Sequence, residues 1–105
     1  MDSLFGSALR TDVLVAIGRL GESYASELAA LFDRRPIETQ RAIASLERAG
    51  VVASRLRGRT RIVSLEPRFY AKAELYALLL RLSSNPRYEA LWERRRRPRA
   101  IGKAL

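Results

Sequence analysis

The feature that most constrains the fold of this chain is a change of period at Gly50. Before it, apolar residues recur at three- and four-residue spacing in three stretches, and after it they alternate. These are the signatures of helix and of half-buried strand. The first stretch, 8–20, sets Leu9, Val13, Ala16, Ile17 and Leu20 on one stripe, with Ser7 as N-cap and Gly21 as stop. A second runs from Ala25 to Phe32, with Leu28, Leu31 and Phe32 inward. Asp33, Arg34 and Arg35 break the pattern, and Pro36 opens a third helix that runs to Ala49 with Thr39, Ala42, Ile43 and Leu46 inward. Beyond Gly50, the two alternating runs 52–57 and 60–65 flank Gly58 and Arg59. They read as a hairpin whose two-residue turn takes its positive φ from Gly58. Val52 then faces Leu65 and Ser54 faces Val63 on a core side, with Leu56 beside them. Arg55, Arg57, Thr60 and Ile62 fall on the opposite, largely basic side.

Pro67 marks the exit from the hairpin into a fourth helix, from about Arg68 to Leu82, that is apolar almost all round. Such a helix is expected to be buried on more than one side. A chain of 105 residues makes one domain with a modest core, so a second copy is the expected cover. The residues assigned to that dimer surface are Leu4, Phe5, Phe69, Tyr70, Leu75, Tyr76, Leu79, Leu82, Leu91 and Trp92. Asn85 and Pro86 open a fifth helix with Tyr88, Leu91 and Trp92 on one face. The expected class is therefore mainly α with a small β-hairpin. Residues 1–66 form the core unit, and 67–105 form C-terminal helices and a basic tail within the same compact domain.

Charge narrows the function. Twenty Lys and Arg stand against eleven Asp and Glu, a net charge of +9 and a pI near 11.2, the footprint of a protein that binds a polyanion. All the basic residues except Lys72 and Lys103 are Arg, whose planar fork suits phosphates and guanine edges. Between Arg34 and Arg61 there are eight Arg against Glu38 and Glu47. The run Arg94 to Arg99, interrupted by Pro98, leaves three readings open: a phosphate-binding arm, the solvated end of a helix, or a dock for an acidic partner.

Cys and His are both absent, which removes disulfides, thiolate chemistry and the usual zinc or copper ligand sets. No cofactor or metal is expected. The acidic residues are scattered singly and there is no glycine-rich phosphate loop, so the sequence does not read as an enzyme. Lys72 on its apolar helix reads as a snorkelling side chain. No membrane-spanning stretch or secretory leader is evident, and a cytoplasmic protein is the expectation.

Three helices with a short turn between the second and third, followed by a hairpin tipped by Arg57, Gly58 and Arg59, resemble a winged helix-turn-helix domain. The segments Ala25 Ser26 Glu27 Leu28 Ala29 and Ala42 Ile43 Ala44 Ser45 Leu46 Glu47 Arg48 Ala49 Gly50 Val51 Val52 are similar to those of the ArsR and MarR type of bacterial regulator. The similarity continues through Gly58 Arg59 Thr60 Arg61 and Leu65 Glu66 Pro67 and covers roughly Leu4 to Leu82.

The resemblance implies a recognition helix, here 36–49, in the major groove of double-stranded DNA and a wing, 52–65, on backbone or minor groove. It also implies dimerising helices. Carried onto this chain, the DNA-facing residues are Arg34, Arg35, Ile37, Glu38, Gln40, Arg41, Ser45, Arg55, Arg57, Arg59 and Arg61. Arg41 suits guanine and Gln40 adenine, whereas Arg34 and Arg35 suit phosphate. Glu38 would repel phosphate unless it accepts a cytosine amino group or pairs with Arg34, Arg35 or Arg41. Metal-sensing members of the group use Cys or His, which this chain lacks. A small-ligand pocket is not indicated, and Tyr70, Tyr76, Tyr88 and Trp92 read as aromatics of the dimer or monomer core. The leading function is a homodimeric repressor or autoregulator, and the alternative is a winged-helix protein adaptor with only non-specific nucleic-acid binding.

Overall fold

The computed structural model describes residues 3–96, which form five helices and one hairpin. In chain order these are α1 (Ala8–Leu20), α2 (Ala25–Leu31), α3 (Pro36–Arg48), β1 (Val52–Arg57), β2 (Thr60–Leu65), α4 (Lys72–Ser83) and α5 (Pro86–Arg96). The element boundaries follow local chemistry. The Ser7 hydroxyl accepts the Arg10 N–H at 3.1 Å, and Gly21, at φ +88°, closes α1 by donating its N–H to the Ile17 carbonyl. Pro36 supplies the first residue of α3 and Asn85 caps α5 by accepting the Arg87 N–H at 3.0 Å.

The first helix is the hub. Thr11 and every residue from Val13 to Gly18 are buried, whereas Leu9 and Leu20 are only half-buried. The single inward stripe expected for α1 is thus too narrow, because α3 and β2 pack on this helix and so does α4. Gly18 is what lets α4 come close. A Cβ there would stand 2.6 Å from the Leu79 Cβ, which real Cβ atoms essentially never show. Gly18→Ala should therefore destabilise the fold by about 1–3 kcal/mol through overpacking. Urea unfolding checks this, and an unchanged midpoint would contradict so close an approach.

The buried stripe of α3 is Thr39, Ala42, Ile43 and Leu46, as expected. The fully buried Thr39 hydroxyl lies 2.8 Å from the Ala25 carbonyl and 2.9 Å from that of Pro36, tying α3 to the start of α2. The hairpin register is also as expected, from Val52 opposite Leu65 to Arg57 opposite Thr60. Two of its side chains are placed otherwise. Leu56 is 64% exposed, because the core side of the hairpin ends at Ser54 and Val63 and the tip runs on into solvent. Ile62, assigned to the basic side, is buried. It lies opposite Arg55 and beside Val63, where Ser23 adds a two-bond bridge to the outer edge of β2.

The fourth helix starts at Lys72 rather than Arg68. The Glu66 carboxylate accepts the Arg68 N–H, and the bonds Phe69 N–H to Glu66 and Lys72 N–H to Phe69 make successive turns in place of a helix. Among the described residues α4 is not buried on more than one side. Leu79 and Ser83 are buried and Leu75 and Leu82 half-buried, but Tyr76, Leu78 and Leu80 face outward.

The fifth helix folds back through its aromatic residues. The Trp92 indole N–H donates to the Ser83 carbonyl at 2.7 Å, and the Tyr88 hydroxyl donates to Asp12 at 2.7 Å. The two rings stack at 5.8 Å, and the Arg19 guanidinium lies 5.6 Å from the Trp92 ring. Leu79 and Trp92 consequently lie in the chain's own core, which corrects their assignment to a dimer surface. Of the others, Leu4, Tyr70 and Tyr76 are exposed, while Phe5, Phe69, Leu75, Leu82 and Leu91 are half-buried. No helix among the described residues is long and apolar enough to cross a membrane.

Candidate nucleic-acid interface

With Thr39, Ala42, Ile43 and Leu46 turned inward, helical geometry puts Ile37, Arg41, Ala44 and Arg48 along the opposite side of α3. Gln40 flanks this row on one side and Ser45 on the other. Ile37, Gln40, Arg41 and Arg48 are exposed. Arg48 was missed in the sequence reading, although its place seven residues after Arg41 carries the signal. Ser45 is half-buried, and its hydroxyl accepts a 2.7 Å bond from the Arg10 guanidinium, joining the start of α1 to α3. It therefore serves packing between helices as well as lying beside the outward row.

Glu38 does not stand alone. Its carboxylate accepts the Arg35 N–H at 3.0 Å and lies 3.5 Å from the Arg34 guanidinium and 3.9 Å from that of Arg35. The Arg35 N–H, helped by the charges of Arg34 and Arg35, holds this carboxyl below its ordinary 4.5. Glu38 is thus a cap for the first turn of α3. The three candidates Arg34, Arg35 and Glu38 form one cluster whose charges partly cancel.

The hairpin has a similar device. The Glu22 carboxylate, just after Gly21, accepts bonds from Arg55 at 2.9 Å and from Arg57 at 2.7 and 3.3 Å. Hydrogen bonds from Arg57 and then Arg55 lower the Glu22 pKa, and Glu22 in turn raises that of Arg57. Both lowered carboxyls are fully ionised at neutral pH, so these contacts are complete there and are lost only as pH falls through values below 4.5. Arg61 reaches the Ser54 hydroxyl at 3.4 Å, and that hydroxyl donates to Glu47, which fastens β1 to the end of α3. Neither Glu22 nor Glu47 was singled out from the sequence, because their partners lie in elements whose packing is not visible in local spacing.

The side chains of Arg41, Arg48 and Arg59 are exposed and make no hydrogen bond or ion pair to another described residue. Arg59 sits at the hairpin turn, next to Gly58 at φ +65°. Farther along the chain, the Arg94 guanidinium donates to the Leu31 carbonyl at 3.1 Å. Residues Arg97 to Arg99, which complete the C-terminal basic run, lie outside the described residues.

Tyr88 and Trp92 lie in the chain's own core, Tyr70 is 94% exposed in the single chain, and Tyr76 lines an open groove of about 640 Å³ together with Ile17, Leu65, Pro67, Lys72 and Ala73. Among the described residues no group of three acidic side chains could hold a metal ion. No protein-family model matches this chain, and no curated protein matches it.

Proposed function

We propose that this chain is a winged-helix DNA-binding regulator that works as a homodimer. In this reading α3 enters the major groove, the β1–β2 hairpin is the wing, and the outward side of α4 meets a second copy. One observation carries it. Between Arg34 and Arg61, five arginines have a partner within the chain, and the remaining three, Arg41, Arg48 and Arg59, project from the recognition helix and the wing tip with none among the described residues. Guanidinia left this way are the groups that phosphates and guanine edges bind.

Fluorescence anisotropy with a duplex from the gene's own upstream region and a shuffled duplex, each at two salt concentrations, tests this. The native duplex should bind tighter by about 10³-fold or more. Equal and steeply salt-dependent binding of both would overturn sequence-specific regulation.

The outward Tyr76, Leu78 and Leu80 also favour a second reading, a winged-helix adaptor that holds another protein on α4. Light scattering on the eluted protein separates the two. A dimer supports the regulator, and a monomer supports the adaptor.

A further inference from the structure

The fork between Arg55 and Arg57 is already a filled anion site. Both oxygens of one carboxylate sit in it, held by three N–H bonds of 2.7 to 3.3 Å. Two guanidinia converging on one pair of oxygens is also the arrangement that grips a phosphodiester. The three side chains are each well exposed, at 51% for Arg55, 58% for Arg57 and 38% for Glu22. Exposed ion pairs of this kind are weak and exchange partners readily.

We propose that Glu22 is an internal stand-in for a DNA phosphate: it occupies the Arg55–Arg57 site in the free protein and keeps it on arbitrary duplex, where it withholds the two arginines from the backbone. This rests on the DNA-binding reading above and adds a residue that sets how strongly the wing grips any duplex. The competition has a direction. While Glu22 holds the fork, the wing offers Arg59 at its tip but not its two strand arginines, so binding to arbitrary sequence is held down. Removing the carboxylate frees two cations at once. Glu22 is not part of the buried apolar cluster that holds Val52, Val63 and Leu65, so its replacement leaves the core of the hairpin in place.

The test is salt-dependent anisotropy on an arbitrary duplex with wild type, Glu22→Gln, Arg55→Gln/Arg57→Gln and the triple variant. Glu89→Gln serves as a control that makes the same charge change on α5. Counterion release gives a slope of about −0.9 per phosphate contact, so between 50 and 200 mM salt each added contact changes relative affinity by about 3.5-fold. Glu22→Gln should bind tighter than wild type. Its advantage at 50 mM should exceed that at 200 mM by about 3.5-fold for one freed arginine and about 12-fold for two. The gain should vanish in the Arg55→Gln/Arg57→Gln background and be absent in Glu89→Gln.

Thermal melts of each variant establish that it is folded. Folded Glu22→Gln with unchanged or weaker binding, or a gain that survives loss of both arginines, overturns the role of Glu22 while leaving the DNA reading standing. Failure of every folded variant, wild type included, to bind duplex at 50 mM overturns both.

Discussion

Changing Arg41, Arg48 and Arg59 together to glutamine should weaken duplex binding by about a hundredfold or more, with no loss of folding. The size follows from what each side chain can contribute. A bidentate base contact is worth about 1–3 kcal/mol and a hydrogen bond to a charged group such as phosphate about 1.5–3 kcal/mol, so even at about 1 kcal/mol each three lost contacts sum to about 3 kcal/mol, a little over two decades in Kd. Stability should hold because all three side chains are exposed and bond to no other described residue. The single variants distinguish their roles. Arg41→Gln should narrow the gap between native and shuffled duplexes, because a base-reading arginine is worth nothing on the wrong base. Arg59→Gln should weaken both duplexes equally and flatten the salt slope by about one contact. Wild-type affinity in the triple variant would remove α3 and the hairpin tip from the proposed interface.

Trp92→Ala should have the largest effect on folding. Trp92 is 2% exposed, and its replacement empties a large volume, leaves the Ser83 carbonyl without its 2.7 Å donor and removes the ring that Tyr88 and Arg19 stack on. Large aromatic truncations of this type cost about 3–5 kcal/mol, against a total of about 5–15 kcal/mol for an ordinary domain. At about 4 °C or more per kcal/mol in a chain of this size, the melting temperature should fall by at least about 12 °C. Trp92→Phe keeps most of the packing and loses chiefly the indole bond, so its cost should be nearer 1 kcal/mol. A melt of Trp92→Ala close to that of wild type would mean that α5 does not dock on α1 and α4 as described.

Apart from the start of α4, the helix spans and the hairpin register were legible because they are governed by neighbours in sequence. Ser7, Gly21, Pro36, Gly58 and Asn85 each act on the backbone within a few residues, and a two-residue turn fixes every pair in the ladder above it. Burial was legible only where one face was needed. On α3 the inward stripe emerges intact, but on α1 the apolar pattern understates burial, since helices and a strand cover the hub from several directions. At Arg68 the helical pattern misled because a side chain, Glu66, captured the backbone N–H and turned the chain locally. The candidate interface was legible in charge and place but not in pairing. That Glu22 meets Arg55 and Arg57, and Arg10 meets Ser45, depends on tertiary contacts across more than thirty residues.

The small bridge between Ser23 and Val63 has a consequence for solubility. A two-stranded ribbon has two open edges, each a template for stray strand addition. Here Ser23 occupies part of one, exchanging both backbone bonds with Val63. Among the described residues no strand pairs with the other edge, that of β1, which carries Arg55 and Arg57. Two such edges brought together would set like charges side by side, which disfavours pairing between copies of this ribbon.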